Sequence, residues 1–285
     1  MQKPHQQGSK NSANAIGVMD SGVGGLSVLK HIHALLPQET LFYAADSLYA
    51  PYGNKLVEDI RARCDAVADF LLNKNIKALV VACNTATAAA IENLRAKYDV
   101  PIIGMEPAVK PAAAATKNGV VGILATSGTL KSAQFAALLA HYGQDIQVVT
   151  QACIGLVECV ERGELNADAT FVLVEKYCQP LLAAGADTIV LGCTHYPFIK
   201  PLIERVLAEN HLTGKVSLID TGGAVAKQLE RRLIEQDLLR MNQLEGLAGN
   251  HESSCTFWTN SRAPKATQII GSLWSEQSLV HYADF

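Results

Sequence analysis

Short, almost wholly apolar runs alternate with segments in which apolar residues recur every three or four positions, and this alternation continues through nearly the whole chain. A brief run rich in Val, Leu and Ile, bounded by turn residues, reads as a strand buried on both faces. Such runs fall at 16–19, 41–45, 78–82, 101–105, 119–125, 146–150, 188–192, 216–219 and 256–259. Helical spacing lies between them. Leu26, Leu29, Ile32 and Leu36 form one stripe, and Ile60, Cys64, Val67 and Leu71 form another within 57–72. Further helices are predicted over 85–97, 130–141, 156–162, 171–184, 198–208, 223–234 and 266–274. Strands alternating with helices imply parallel sheets joined by crossover connections, an α/β fold.

The order of elements starts again partway along. A strand, a Gly-containing loop and a helix open each half, and each half later holds a strand ending at a cysteine. Cys83 and Cys193 are 110 residues apart, about one small domain. The expectation is therefore two pseudo-symmetric α/β domains, with mainly parallel sheets flanked by helices and an active site in the cleft between them. A flexible arm is expected over 1–15, a discontinuous first domain over 16–108 plus 219–285, and a second domain over 109–218. The first boundary falls within 106–118, where Pro107 and Pro111 stiffen the connection. The polar stretch 236–254 receives no function.

Composition narrows the classes. The chain has 285 residues, 49% hydrophobic and 18% charged, as in an ordinary globular protein with room for two modest cores. A net charge of −3 gives no electrostatic footprint for nucleic acid or an anionic membrane. No apolar stretch reaches the length that spans a bilayer. Residues 1–14 are polar and lack the apolar core of a secretory signal. Seven cysteines, an odd number with no CxxC pair, read as reduced thiols in a cytoplasm rather than as disulfides or a zinc site.

Chemistry concentrates at the two strand ends. Ala82-Cys83-Asn84-Thr85 and Gly192-Cys193-Thr194-His195 each follow an apolar strand and precede a helical pattern. Ligands bind beyond the carboxyl ends of strands in open α/β sheets. A helix N-terminus there favours the thiolate. Two equivalent thiols facing one molecule from opposite sides suit chemistry on mirror-image compounds. Cys64, Cys153, Cys159 and Cys178 read instead as packing residues. The loop Asp20-Ser21-Gly22-Val23-Gly24-Gly25 is either a capped tight turn or a cradle whose amides bind a small anion, with Asp20 orienting or accepting a proton. It is not a dinucleotide fingerprint, because Ser27 stands where the third glycine belongs, and no Gly-Lys-Ser/Thr makes it a P-loop. His195 shares a loop with Cys193 and suits proton handling. Spacing alone leaves Glu161 and Glu158 as solvated helix residues, and Pro51-Tyr52-Gly53 as a turn.

Four motifs in order, Asp20-Ser21-Gly22-Val23-Gly24-Gly25-Leu26, Pro51-Tyr52-Gly53, Ala82-Cys83-Asn84-Thr85-Ala86 and Gly192-Cys193-Thr194-His195-Tyr196-Pro197, resemble the aspartate/glutamate racemase family, its glutamate branch most closely. The resemblance runs from about Ile16 to the C-terminus. It implies cofactor-independent interconversion of L- and D-glutamate by two-cysteine proton transfer, supplying D-glutamate for peptidoglycan synthesis. By the resemblance, Cys83 acts on D-glutamate and Cys193 on L-glutamate, assisted by Asp20 and His195 respectively, with Glu161 near the second thiol. Ser21, Tyr52, Gly53, Asn84, Thr85, Thr126 and Thr194, together with Asp20 and His195, match substrate-binding positions. No metal is implied, and the assembly is a monomer or homodimer. In some relatives an N-terminal extension accompanies activation by UDP-N-acetylmuramoyl-L-alanine. An aspartate or other amino-acid racemase is the nearest rival. A single-thiol Cys-His hydrolase and a two-domain binding module are rivals of other classes.

Overall fold

A computed structural model describes residues 11–240, 254–275 and 277–285. The expected arm over its residues 1–10, and residues 241–253 of the polar stretch, lie outside the described residues. The first half runs β1 (Ile16–Asp20), α1 (Leu26–Leu35), β2 (Leu41–Ala45), α2 (Val57–Leu72), β3 (Ala78–Val81), α3 (Asn84–Lys97), β4 (Ile102–Ile103) and α4 (Val109–Ala115). Then come β5 (Val120–Ala125), α5 (Ser127–Leu130), α6 (Ala133–Tyr142), β6 (Gln147–Ala152), α7 (Leu156–Glu161), α8 (Asp168–Ala183), β7 (Thr188–Gly192), α9 (Lys200–Glu209) and β8 (Ser217–Ile219). The chain closes with α10 (Gly222–Glu235), β9 (Cys255–Thr259), α11 (Pro264–Leu273) and β10 (Val280–Tyr282).

The strands form two sheets, ordered β10-β9-β2-β1-β3-β4 and β6-β5-β7-β8. Every pairing is parallel. Within the first sheet, β2-β1-β3-β4 repeats the order of the second, so β1 corresponds to β5 and β3 to β7. The continuous apolar runs follow from burial on both faces. On β3, Ala78 and Val80 enter one core while Leu79 and Val81 enter another. On β7, Ile189 and Leu191 join the first of those cores and Val190 a third. The shared core thus spans both sheets and holds the halves together. After Ile219 the chain returns to the first sheet: α10 packs on α1, and β9 pairs with β2.

Four expectations change. The stiff connection over 106–118 carries a helix, α4, with Pro111 in its first turn, where a missing N–H costs nothing. The single helix expected over 130–141 is broken: α5 stops at Leu130, and Ser132 Oγ accepts from the Phe135 N–H at 3.1 Å to cap α6. The helix expected over 198–208 starts as a 3₁₀ turn, Tyr196–Ile199, before α9. Strand β10 was not expected, since its exposed His281 and Tyr282 leave no apolar run to read.

The near end of the arm is tied down. The buried Lys77 ammonium pairs with Glu39 Oε2 at 2.5 Å and donates to the Ser12 carbonyl at 2.5 Å. The Arg240 guanidinium donates to the Ala13 carbonyl.

Candidate active site

The matching strand ends bring the two cysteines together. Cys83 lies two residues past β3 and caps α3, its Sγ accepting from the Ala86 N–H at 3.4 Å. Cys193 directly follows β7. Register pairs Met19 with Val81 and Ala125 with Gly192, so two more steps along the first ladder set Ser21 level with Cys83, and one more along the second sets Thr126 level with Cys193. Both thiols line one small cavity of about 10 Å³, with Ser21, Tyr52, Gly53, Asn84 and Thr85 from the first half and Thr126, Thr194 and His195 from the second. Of the residues read from the sequence, only Asp20 and Glu161 stand behind this wall.

The two thiols have different surroundings. Ser21 Oγ is 3.8 Å from Cys83 Sγ and 3.4 Å from Asp20 Oδ1, and Asp20 Oδ2 accepts from the Gly25 N–H at 2.6 Å. Burial pushes the Asp20 carboxyl above its ordinary range, against the pull of His195 and the Gly25 amide. Burial, then the Asp20 charge, pushes the Cys83 thiol well up. This corrects the expectation that the helix end would favour thiolate at Cys83. The Ala86 amide does pull that way, but desolvation outweighs it.

At the second thiol, His195 Nδ1 lies 3.6 Å from Cys193 Sγ and Nε2 lies 2.7 Å from Glu161 Oε1. Burial opposes charge on the imidazole, but the bonds to Cys193 and Glu161 outweigh it and hold His195 well above its usual range. Glu161, left by spacing alone as a solvated helix residue, therefore points inward. The same Oε1 accepts from the Val23 N–H at 2.8 Å, across the seam between the halves.

That contact also explains the Gly-rich loop. A methyl group on Gly22 would lie 1.9 Å from Glu161 Oε1, and one on Gly24 would lie 2.3 Å from His195 Nδ1. The glycines let the second half approach the backbone of the first. The expected anion cradle is not what two of its amides do: Val23 serves Glu161 and Gly25 serves Asp20. Ser27 Oγ, 2.8 Å from both the Gly24 and Thr194 carbonyls, closes the same seam.

On the far side of the cavity three hydroxyls meet. Thr85 Oγ1 is 2.8 Å from Thr126 Oγ1 and 3.3 Å from Thr129 Oγ1, and Thr126 and Thr129 are 3.0 Å apart. Thr129, three residues after Thr126, also lines the cavity and was not among the residues read from the sequence. Among the described residues, the buried side-chain amide of Asn84 has a partner for neither its oxygen nor its nitrogen, leaving both for a ligand. Tyr52 gives its hydroxyl to Asp46, so it offers the cavity its ring and backbone. Among the described residues, no group of three or more His, Cys, Asp or Glu side chains is arranged to hold a metal ion. No helix among them is long and apolar enough to cross a membrane.

A cavity lined by two thiols, one reached by Asp20 through Ser21 and the other beside His195 and Glu161, suits proton transfer at both faces of one carbon. Comparison with known proteins agrees. The family profile described as Asp/Glu/Hydantoin racemase matches residues 16–229. A glutamate racemase of Ectopseudomonas mendocina is 53% identical over 267 residues, covering 93% of this chain and 97% of its own. One from Pseudomonas aeruginosa is 51% identical, covering 93% and 96%. Among solved structures, a glutamate racemase isoform from Bacillus anthracis superposes with a TM-score of 0.82 at 30% identity, over 96% of this chain and 99% of its own. The Escherichia coli glutamate racemase, solved with L-glutamate and the activator UDP-MurNAc-ala, gives 0.79 at 31% identity, over 94% and 97%. The chain belongs to the Asp/Glu/Hydantoin racemase family.

Proposed function

We propose that this chain is a glutamate racemase in which Cys83 and Cys193 exchange protons with the two faces of the substrate α-carbon. The observation that carries the reading is the pair of thiols at corresponding strand ends, facing one cavity beside unlike partners. In the L-to-D direction the Cys193 thiolate takes the α-proton, and the Cys83 thiol delivers its own proton to the opposite face. The reverse reaction starts from Cys83 thiolate and Cys193 thiol.

The α-carbon is a very weak acid, so orientation and electrostatics must lower the barrier. Charged His195, backed by Glu161, stabilises negative charge on the sulfur beside it. Asp20, behind Ser21, attends Cys83. Asn84, Thr85, Thr126, Thr194 and Ser21 supply hydrogen bonds to the substrate's carboxylates and ammonium, and Thr129 joins them through the threonine cluster. The division into 16–108 with 219–285 and 109–218 makes the cavity a cleft that opens for substrate and closes to exclude water. D-glutamate made in the cytoplasm then supplies peptidoglycan synthesis.

A second cavity, about 460 Å³, is walled by Arg95, Tyr98, Gln228 and Arg232 among others. Its size and basic side chains suit a nucleotide-linked activator of the kind bound by the Escherichia coli enzyme.

The test is circular dichroism of each glutamate enantiomer in deuterated water, for wild type, Cys83→Ala and Cys193→Ala, with and without UDP-N-acetylmuramoyl-L-alanine. Racemisation with α-deuterium incorporation, lost in both variants, is expected. Full activity without one thiol, or turnover of aspartate but not glutamate, overturns the reading.

A further inference from the structure

Asp46 follows β2 and is fully buried, yet lies outside the cavity wall. Its carboxylate accepts from distant parts of the chain: the Tyr52 hydroxyl, Arg63 Nε at 3.0 Å and Nη2 at 2.8 Å, and the Asn260 side-chain amide. Its backbone N–H donates to the Asp20 carbonyl at 3.0 Å. Arg63 in turn lies 4.0 Å from the Tyr49 ring centroid and donates to the Phe285 carbonyl. Asn260 Oδ1 accepts from the Leu48 N–H at 2.9 Å. The segment 46–52 is thereby fastened at several points.

A buried ion pair is by itself a poor source of stability, because desolvation offsets the attraction. The geometry here gives the pair another consequence. Tyr52 is part of the cavity wall, and its hydroxyl is held by Asp46. The next residue, Gly53, abuts the second half: a methyl on Gly53 would lie 3.0 Å from Thr126 Cβ, and one on Gly128 would lie 2.9 Å from the Gly53 carbonyl oxygen. Whatever fixes Tyr52 fixes this wall against the threonine cluster.

We propose that Asp46 is a positioning residue for substrate binding: anchored by Arg63 and Asn260, its carboxylate holds the Tyr52 hydroxyl and so sets the wall that Pro51-Tyr52-Gly53 presents to the substrate. The inference rests on the glutamate racemase reading. An asparagine at this position keeps one acceptor oxygen but turns an NH₂ group toward the surrounding donors. The charge-assisted bonds are lost where they are needed.

The experiment measures kcat and KM for both glutamate enantiomers in the full chain. The variants are Asp46→Asn, Tyr52→Phe, their combination, and Arg63→Lys, with melting temperatures alongside. Losing the charged acceptor raises KM about tenfold in Asp46→Asn while kcat stays within about threefold. Arg63→Lys keeps the charge but loses the two-point contact, and raises KM about threefold. In the double variant KM is no higher than in the worse single variant, because both substitutions break one linkage. Unchanged KM in Asp46→Asn and Arg63→Lys, with melting temperature lowered, overturns the proposal, as do KM effects that multiply in the double variant. Should Asp46→Asn fail to fold, Arg63→Lys decides. A wild type inactive even with UDP-N-acetylmuramoyl-L-alanine overturns the racemase reading and this one with it; an active wild type with insensitive KM overturns this one alone.

Discussion

Substituting Gly24 by alanine tests whether the glycine loop exists for close approach. The new methyl would lie 2.3 Å from His195 Nδ1 and 2.5 Å from Thr194 Oγ1. Ordinary contact begins near 3.4 Å, so the ring must move by about 1 Å. It has little room to do so. His195 is 2% exposed, held at 2.7 Å by Glu161 and facing Cys193 at 3.6 Å. Misplacing a catalytic group by about 1 Å costs on the order of 100-fold in rate. Overpacking adds about 1–3 kcal/mol of destabilisation, which an ordinary domain survives. The assay is kcat in both directions by circular dichroism, with α-deuterium exchange from each enantiomer and far-UV spectra to confirm folding. A folded Gly24→Ala protein about 100-fold slower, with exchange from L-glutamate impaired first, is the expected result. A folded variant within about threefold of wild type would refute the steric argument and return the loop to an ordinary turn.

Glu161→Gln keeps an oxygen for Val23 and His195 but removes the charge that helps hold His195 protonated. A histidine with a raised folded-state pKa contributes stability that is fully present below its ordinary value, near 6.5, and lost as pH rises through the folded-state value. Without the glutamate charge that loss comes earlier, so the alkaline limb of the L-to-D rate profile moves to lower pH; an unmoved limb would sink the assignment of His195. Asp20 has the opposite character for an acid, since its folded-state pKa is raised, so its charge costs stability as pH rises above about 3.8. Asp20→Asn therefore melts higher than wild type at pH 8, by about 2 °C, while losing most activity, and the gain shrinks toward pH 4. Equal melting curves at both pH values would contradict the burial argument.

The sheets were legible because two-sided burial writes itself into sequence as unbroken apolar runs such as 78–81 and 188–192. Both cysteines were legible because each ends such a run. What escaped depended on partners far along the chain. Glu161 reads as a surface residue until Val23, 138 positions away, and His195 meet it. The glycines at 22 and 24 were left as either a capped tight turn or an anion cradle, because composition cannot show that a carboxylate and an imidazole fill the space of their missing side chains. Helix-end electrostatics were visible in the spacing around Cys83, but the depth of its burial, which decides the outcome, was not. Thr129 and Asp46 carry no pattern of their own, and only their contacts mark them.

The cavity between the thiols, at about 10 Å³, has the space of roughly one water molecule. On the racemase reading, an amino acid binds those members of the ensemble in which the seam has parted to make room for it. Its apparent dissociation constant is the intrinsic one divided by the fraction of molecules so parted. Potency then becomes a property of the seam as much as of the pocket. A substitution that loosens the seam outside the cavity wall, as at Ser27, whose hydroxyl bonds the Gly24 and Thr194 carbonyls, raises that fraction and tightens every ligand by the same factor. A compound selected to fit the shut shape gains nothing from this reservoir, whereas one that wedges between the halves draws directly on it.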